Sequence, residues 1–200
     1  MSTNLKNFLD DSTPFNWFEN WLQEAVETIS QDPAAMTLAT TDPSGSLSIR
    51  VVLLKSWDER GFVFYTNSQS RKGVALGENR QCALCFYWPS LNRQIRISGE
   101  VEKVEEEVSD AYFESRALKS KLGAWASEQS RPLNNRATLV ARVAKYGLKF
   151  GTKVPRPEHW FGFRVKASEI EFWQAGEFRL HDRWRWRIEN GKWTYHRLNP

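Results

Sequence analysis

The chain has 200 residues, 40% hydrophobic and 26% charged, with a formal net charge of +4; this excludes a disordered chain and allows a sizeable core. No apolar run approaches the roughly 20 residues of a membrane span. Acidic residues near the start (Asp10, Asp11, Glu19, Glu24) are unlike a secretory or mitochondrial leader, so a cytoplasmic protein is expected.

Residues 1–13 show little pattern and are expected to be mobile, with residues 14–200 forming one domain. Thr13-Pro14 reads as a helix cap followed by proline at the first helical position. Phe18, Leu22, Ala25, Val26 and Ile29 then recur at helical spacing to about Ser30. A short strand over 35–40 precedes the turn Asp42-Pro43-Ser44-Gly45. Strands are expected over 47–55 and 61–66, and a short helix over 70–78 with Ser70 as its cap. Strands 82–88 and 94–104 pair across the turn Pro89-Ser90-Leu91-Asn92. In the second of these Ile95, Ile97 and Val101 alternate with polar residues, as in an antiparallel sheet with one apolar face.

A helix over 105–116 carries acidic residues in its first turn, where they favour the helix dipole. Ser120 reads as the cap of a further helix over 121–129, and another is expected at about 136–146. Pro155-Arg156-Pro157 is a stiff connector. Strands follow over 163–165, 170–173, 184–188 and 193–198, the last two joined at Asn190-Gly191. Many antiparallel strands with few helices predict a mainly β, α+β fold: a closed barrel with peripheral helices.

The two cysteines form C-x-x-C, Cys82 to Cys85, but inside a strand, where residues three apart face opposite ways. Inert thiols are expected, and no metal site. Neither the Gly-rich loop of dinucleotide sites nor a Walker lysine loop occurs.

Chemistry is therefore sought in basic and hydroxyl side chains, which suit phosphate oxygens. One set is Arg50, Lys55, Thr66, Arg71 and Lys72. Others are Tyr112, Arg116 and Ser120; Gln129 and Ser130; and Arg179, Leu180, His181 and Arg183. Two separate basic sets suggest two phosphates, one on a cofactor and one on a substrate. Basic residues are scattered and no Lys/Arg block marks a nucleic-acid tail. Arg50 and Lys55 are five apart, so an uninterrupted strand sends them to opposite faces: either they serve different ligands or a bulge re-aims one.

The ordered stretches PAAMTLATTD, RVVLLK, GFVFYTNSQSRKG, FYWPSLNRQIRISGEVEKV, YFESR, GAWASEQS, PRPEHWFGFRV, IEFWQAGEFRLHDR and WTYHRLNP resemble the pyridoxine/pyridoxamine 5′-phosphate oxidases. The resemblance implies an FMN-binding split-barrel homodimer with the flavin at the subunit interface. It implies oxidation of pyridoxamine 5′-phosphate and pyridoxine 5′-phosphate by oxygen to pyridoxal 5′-phosphate, with release of hydrogen peroxide. By motif, Arg50, Val51, Val52, Leu53, Leu54, Lys55, Tyr65, Thr66, Arg71 and Lys72 would hold FMN. Gln94, Gln129, Ser130, Trp173 and Arg183 would complete its site. Lys55, Tyr112, Arg116 and Ser120 would grip the substrate phosphate, and Arg179, Leu180 and His181 would lie over the substrate ring, with Arg179 and His181 as catalytic contacts. Another FMN split-barrel oxidoreductase, or a non-catalytic carrier of flavin or pyridoxal phosphate, is the alternative.

Three departures from that family pattern stand out. MSTNLKNFLDD lacks the family's Arg and Tyr that close over the site. Phe161-Gly162 replaces a usual Gly-Gly, and Ala117 stands where proline is common.

Overall fold

The computed structural model describes residues 13–200. The expected mobile segment, apart from Thr13, and the departure in MSTNLKNFLDD fall on residues 1–12, outside the described residues; Thr13 itself is held as a helix cap. Helix α1 (Pro14–Thr28) starts where expected, with the Thr13 hydroxyl accepting from the Asn16 amide. Its buried stripe includes Trp17, Phe18, Trp21, Leu22 and Ala25, whereas Val26, expected on that stripe, is exposed.

That stripe plugs a curled sheet. Phe18 packs edge-on against Phe62 at 4.9 Å and Phe86 at 5.3 Å, while Trp17 meets Phe172 at 5.4 Å and Trp184 at 5.7 Å. One helix therefore touches strands from several parts of the sheet, and truncating a residue such as Phe18 to alanine would cost about 3–5 kcal/mol. The Glu24 carboxylate pins the helix to Arg93 at 2.8 Å, and Arg93 lies 4.5 Å over the Trp21 ring.

The sheet comprises β1 (Ala35–Thr41), β2 (Leu47–Leu53), β3 (Ser56–Asp58), β4 (Gly61–Asn67), β5 (Gln81–Trp88), β6 (Arg93–Lys103), β7 (Trp160–Gln174), β8 (Asp182–Glu189) and β9 (Lys192–Arg197). All pairings are antiparallel, in the order β2-β1-β5-β6-β7-β4-β3, with β8 and β9 continuing from β7. The two ends of that path, β2 and β3, are separated in the chain only by Leu54 and Lys55. The Leu54 amide still bonds to Ala34 beside β1, whereas the Lys55 amide bonds to Val63 of β4. Adjacent residues thus serve opposite ends of the sheet, which must curl round to bring them together. This is the split barrel that the family resemblance implies, a curled half-barrel and not the closed barrel expected from strand alternation alone.

Helices α2 (Arg71–Glu78), α3 (Glu106–Ser115), α4 (Leu118–Ala126) and α5 (Arg136–Phe150) lie outside the barrel strands in sequence. Ser70 caps α2 through its hydroxyl, which accepts from Gly73.

Several expected boundaries are corrected. The strand expected over 47–55 stops at Leu53, and β3 follows it. The helix expected over 121–129 runs from Leu118 to Ala126, so Ser120 sits in its first turn and is not its cap. The helix expected to end near 146 continues to Phe150. The strands expected over 163–165 and 170–173 are one, β7. It pairs with β6 along its length but changes its other partner, from β4 over the first half to β8 over the second. A register shift opposite Ser98/Gly99 marks the changeover, where a Cβ on Gly99 would lie 2.0 Å from the Lys166 carbonyl oxygen.

Cys82 faces the core and Cys85 the opposite side; both are free, and burial pushes the Cys82 thiol up to about 12. Among the described residues no helix is long and apolar enough to cross a membrane, and no cluster of His, Cys, Asp and Glu could hold a metal.

Candidate active site

A cleft of about 450 Å³ opens where β2, β4, α2 and α3 converge. Arg50, Val51, Val52, Leu53 and Lys55 form one wall; Tyr65, Thr66 and Lys72 form the floor; Tyr112, Arg116, Gln129 and Trp160 close it. Arg50 and Lys55 share this cleft without any bulge, because the chain leaves β2 after Leu53 and changes partners. Leu54 is buried in the core instead. A second lobe of about 360 Å³ continues past Arg116 and Gln129 to Ser120. Arg71 and Ser130 line an adjoining depression that shares Gln129 with the cleft.

The main cleft is lined by four cationic side chains, Arg50, Lys55, Lys72 and Arg116, and by no carboxylate. The Arg50 guanidinium donates to the Leu38 carbonyl at 3.1 Å, the Thr40 hydroxyl at 2.8 Å and the Ser48 hydroxyl at 2.8 Å. Lys72 is buried, and its ammonium meets only hydroxyls, Thr66 at 3.3 Å and Ser70 at 3.5 Å. Burial, and then Arg50, hold the Lys72 ammonium below the usual lysine range. Burial likewise lowers Arg50, with Arg71 adding to it.

Arg116 follows directly on α3, its guanidinium 4.6 Å over the Trp160 ring. Its Nη1 is buried without a hydrogen-bond partner, and burial lowers its pKa. Tyr65 stacks on Tyr112 at 4.0 Å and on Trp160 at 5.2 Å, so flat rings back the cations. Gly162 makes this stack possible: a Cβ there would lie 2.6 Å from Val104 Cγ2 and 2.8 Å from Tyr65 Cε1. Phe161, the bulkier neighbour, turns away to Phe163 and Lys103. Buried, unpaired positive charge is unfavourable unless an anion compensates it. Arg50 and the buried Lys72 fit the phosphate of a group such as FMN, and the orphaned Arg116 nitrogen beside an aromatic wall leaves a donor for a second anion.

The remaining predicted residues lie elsewhere. Gln94, Trp173 and Arg183 are in register on β6, β7 and β8, forming one row across the sheet. The Arg183 guanidinium forks onto Glu171, Nε to Oε1 at 2.9 Å and Nη2 to Oε2 at 3.2 Å. Arg179, Leu180 and His181 occupy the turn between β7 and β8. Arg179 and Leu180 are exposed, and the His181 ring packs 4.7 Å from Trp173. The cleft adjoins β7 at Trp160 and Gly162, and the second group at Trp173. About 35–45 Å of strand contour runs between them at about 3.3 Å per residue. None of the second group lines the cleft, its second lobe or the adjoining depression.

Residue-type patterns missed Trp160, although it stands in PRPEHWFGFRV, because an isolated Trp reads as core. They missed Glu171 for a similar reason, since one acid in a strand gives no signal until the neighbouring strands are placed.

The fold and its basic cleft define a split-barrel flavoprotein. A family model described as pyridoxamine 5′-phosphate oxidase matches residues 22–150, and a second, described as pyridoxine 5′-phosphate oxidase C-terminal dimerisation region, matches residues 160–200. The pyridoxine/pyridoxamine 5′-phosphate oxidase of Caulobacter vibrioides is 52% identical over 193 residues, 96% of this chain and 87% of that protein. That of Allorhizobium ampelinum is 48% identical over 197 residues, 97% of this chain and 96% of that protein. Among solved structures, PhzG from Burkholderia lata, in complex with tetrahydrophenazine-1-carboxylic acid, superposes with a TM-score of 0.90 at 35% identity, covering 96% of this chain and 94% of that one. The chain belongs to the pyridoxamine 5′-phosphate oxidase family.

Proposed function

We propose that the protein oxidises pyridoxamine 5′-phosphate and pyridoxine 5′-phosphate with oxygen to pyridoxal 5′-phosphate, releasing hydrogen peroxide, as a homodimer with FMN between the subunits. The observation that carries this reading is the cleft lined by four cations, with no carboxylate and an orphaned Arg116 nitrogen. Arg50, Arg71 and Lys72 hold the cofactor phosphate. Val51, Val52, Leu53, Tyr65, Thr66, Gln129 and Ser130 complete that side of the cofactor site, without Leu54, which is buried in the core. Lys55, Tyr112, Arg116 and Ser120 take the substrate phosphate. The redox chemistry, hydride acceptance from the substrate 4′-carbon and return of electrons to oxygen, would be supplied by bound FMN.

The second subunit supplies Gln94, Trp173 and Arg183 to the cofactor, and Arg179, Leu180 and His181 to the substrate ring. The strand length between the two groups supports this division. The outer face of β2 supports it: Leu47, Ile49, Val51 and Leu53 are 75%, 72%, 65% and 37% exposed, an apolar row open for a second copy. With the substrate phosphate held on one side and the ring covered on the other, positioning lowers the barrier to hydride transfer. Arg179 over the ring would hold its plane and orientation for that transfer.

Purified protein is expected to bind FMN and to release peroxide with pyridoxamine 5′-phosphate. A protein that does neither overturns the proposal. The likeness to PhzG favours a second reading, oxidation of a reduced phenazine carboxylate on the same fold. Identities of 48–52% to the vitamin oxidases against 35% to PhzG support the first. Parallel turnover assays with both substrate classes decide between them.

A further inference from the structure

Glu171 lies in the middle of β7 and is 3% exposed, the side chain of an acid almost entirely out of water. A buried carboxylate is costly unless its oxygens are paired. Here both are: Oε1 accepts from Arg183 Nε at 2.9 Å, and Oε2 from Arg183 Nη2 at 3.2 Å and also from Arg96 Nη2. Burial pushes the carboxyl up, but the bonds from Arg183 and Arg96 outweigh it and leave it below the usual range. The third Arg183 nitrogen, Nη1, donates to the Asn199 carbonyl at 3.0 Å. Of five guanidinium N–H groups, three are therefore engaged within the protein, and one on each terminal nitrogen remains.

A second pair on the same strands, Glu169 with Arg187 at 2.5 Å, is built differently. Its carboxylate side chain is 26% exposed and serves a single arginine. It supports the strand pairing, but its partner Arg187 is not among the proposed site residues, and so the pair makes an internal control.

We propose that Glu171 is the positioning residue for Arg183, fixing its guanidinium so that the two remaining N–H groups point to the FMN site. The proposal rests on the flavin reading given above. Glu171 touches no ligand itself. Its fork holds the plane of the guanidinium, and the Asn199 carbonyl fixes the rotation that remains. Arg96, sharing Oε2, keeps the carboxylate ionised and in place.

The test is a double-mutant cycle on the affinity of the apoprotein for FMN, read from quenching of flavin fluorescence. Glu171→Gln and Arg183→Gln are each expected to weaken binding about tenfold or more. The double variant should then be no more than about threefold weaker than Arg183→Gln alone, because Glu171 acts only through Arg183. Glu169→Gln should stay within about threefold of the parent. Losses that multiply in the double variant would show that Glu171 supports the strand generally, and would overturn the proposal. Normal FMN affinity in Glu171→Gln would overturn it while leaving the flavin reading intact. A parent apoprotein without FMN affinity would overturn both. If Glu171→Gln does not fold, Glu171→Asp keeps the charge but shortens the reach, and the same cycle applies with the same expectations.

Discussion

The Arg116 guanidinium sits 4.6 Å over the Trp160 ring with Nη1 buried and without a hydrogen-bond partner. The ring fixes the plane of the fork and leaves its donors for a ligand. Lysine keeps the charge but neither the plane nor the paired donors. Arg116→Lys is therefore expected to raise KM for pyridoxamine 5′-phosphate by about tenfold or more, roughly 1.4 kcal/mol, with a smaller change in kcat and unchanged FMN affinity. Steady-state kinetics check this. An unchanged KM would place the substrate phosphate elsewhere.

Lys72 is 9% exposed, and burial and Arg50 hold its ammonium below the ordinary value of 10.5. Between its folded-state pKa and 10.5 the unfolded chain binds more protons, so stability rises with pH in that window, and the full cost is present below it. An anionic ligand offsets that cost. Lys72→Met should leave the apoprotein melting about 2–4 °C higher near neutral pH, while FMN affinity falls about tenfold or more. Its melting temperature should also lose the rise with pH that the parent shows in that window. A lower Tm with intact FMN binding would make Lys72 a structural residue only.

Sequence patterning revealed most of the elements, because α1, β6 and the β8–β9 hairpin each carry an unambiguous period or turn. It misplaced those whose limits depend on partners. Leu54 and Lys55 continue the apolar run of β2 in sequence, yet the chain changes neighbours there, which no periodicity records. β7 looked like two strands because residues 166–169 break the apolar run, although β6 pairs through them. The basic residues of the cleft could be named one by one. That Arg50 and Lys55 share a wall, while Arg183 lies at the other end of β7, required the sheet order.

The exposed apolar row on β2 and the division of the site across β7 make one joint prediction. Ile49 is 72% exposed and lies outside the cleft lining. Ile49→Asp should leave each chain folded but place a charge in the subunit contact. Light scattering is expected to move from twice the chain mass of 23.3 kDa towards the single chain. FMN affinity should fall with it, because Gln94, Trp173 and Arg183 leave with the partner. A monomeric variant that retains parental FMN affinity would refute the shared site.

The turn carrying Arg179 offers a way to separate stability from activity. Phe178 and Arg179 both adopt left-handed backbone, with φ of 54° and 63°. Each costs roughly 1–2 kcal/mol for a residue with a side chain. Gly176 allows the turn to close: a Cβ there would lie 2.0 Å from the Leu180 carbonyl oxygen, and its amide donates to His181 Nδ1 at 3.2 Å. That bond makes Nδ1 an acceptor and ties the His181 ring to the turn. Arg179→Gly should relieve strain, so that the apoprotein melts no lower than the parent, yet turnover should fall about tenfold or more because the cation is gone. Gly176→Ala should produce a similar loss of turnover by displacing the turn, again with FMN retained. Thermal melts, FMN titration and peroxide assays on the two variants distinguish the causes. Full turnover in Arg179→Gly would remove the turn from the catalytic site.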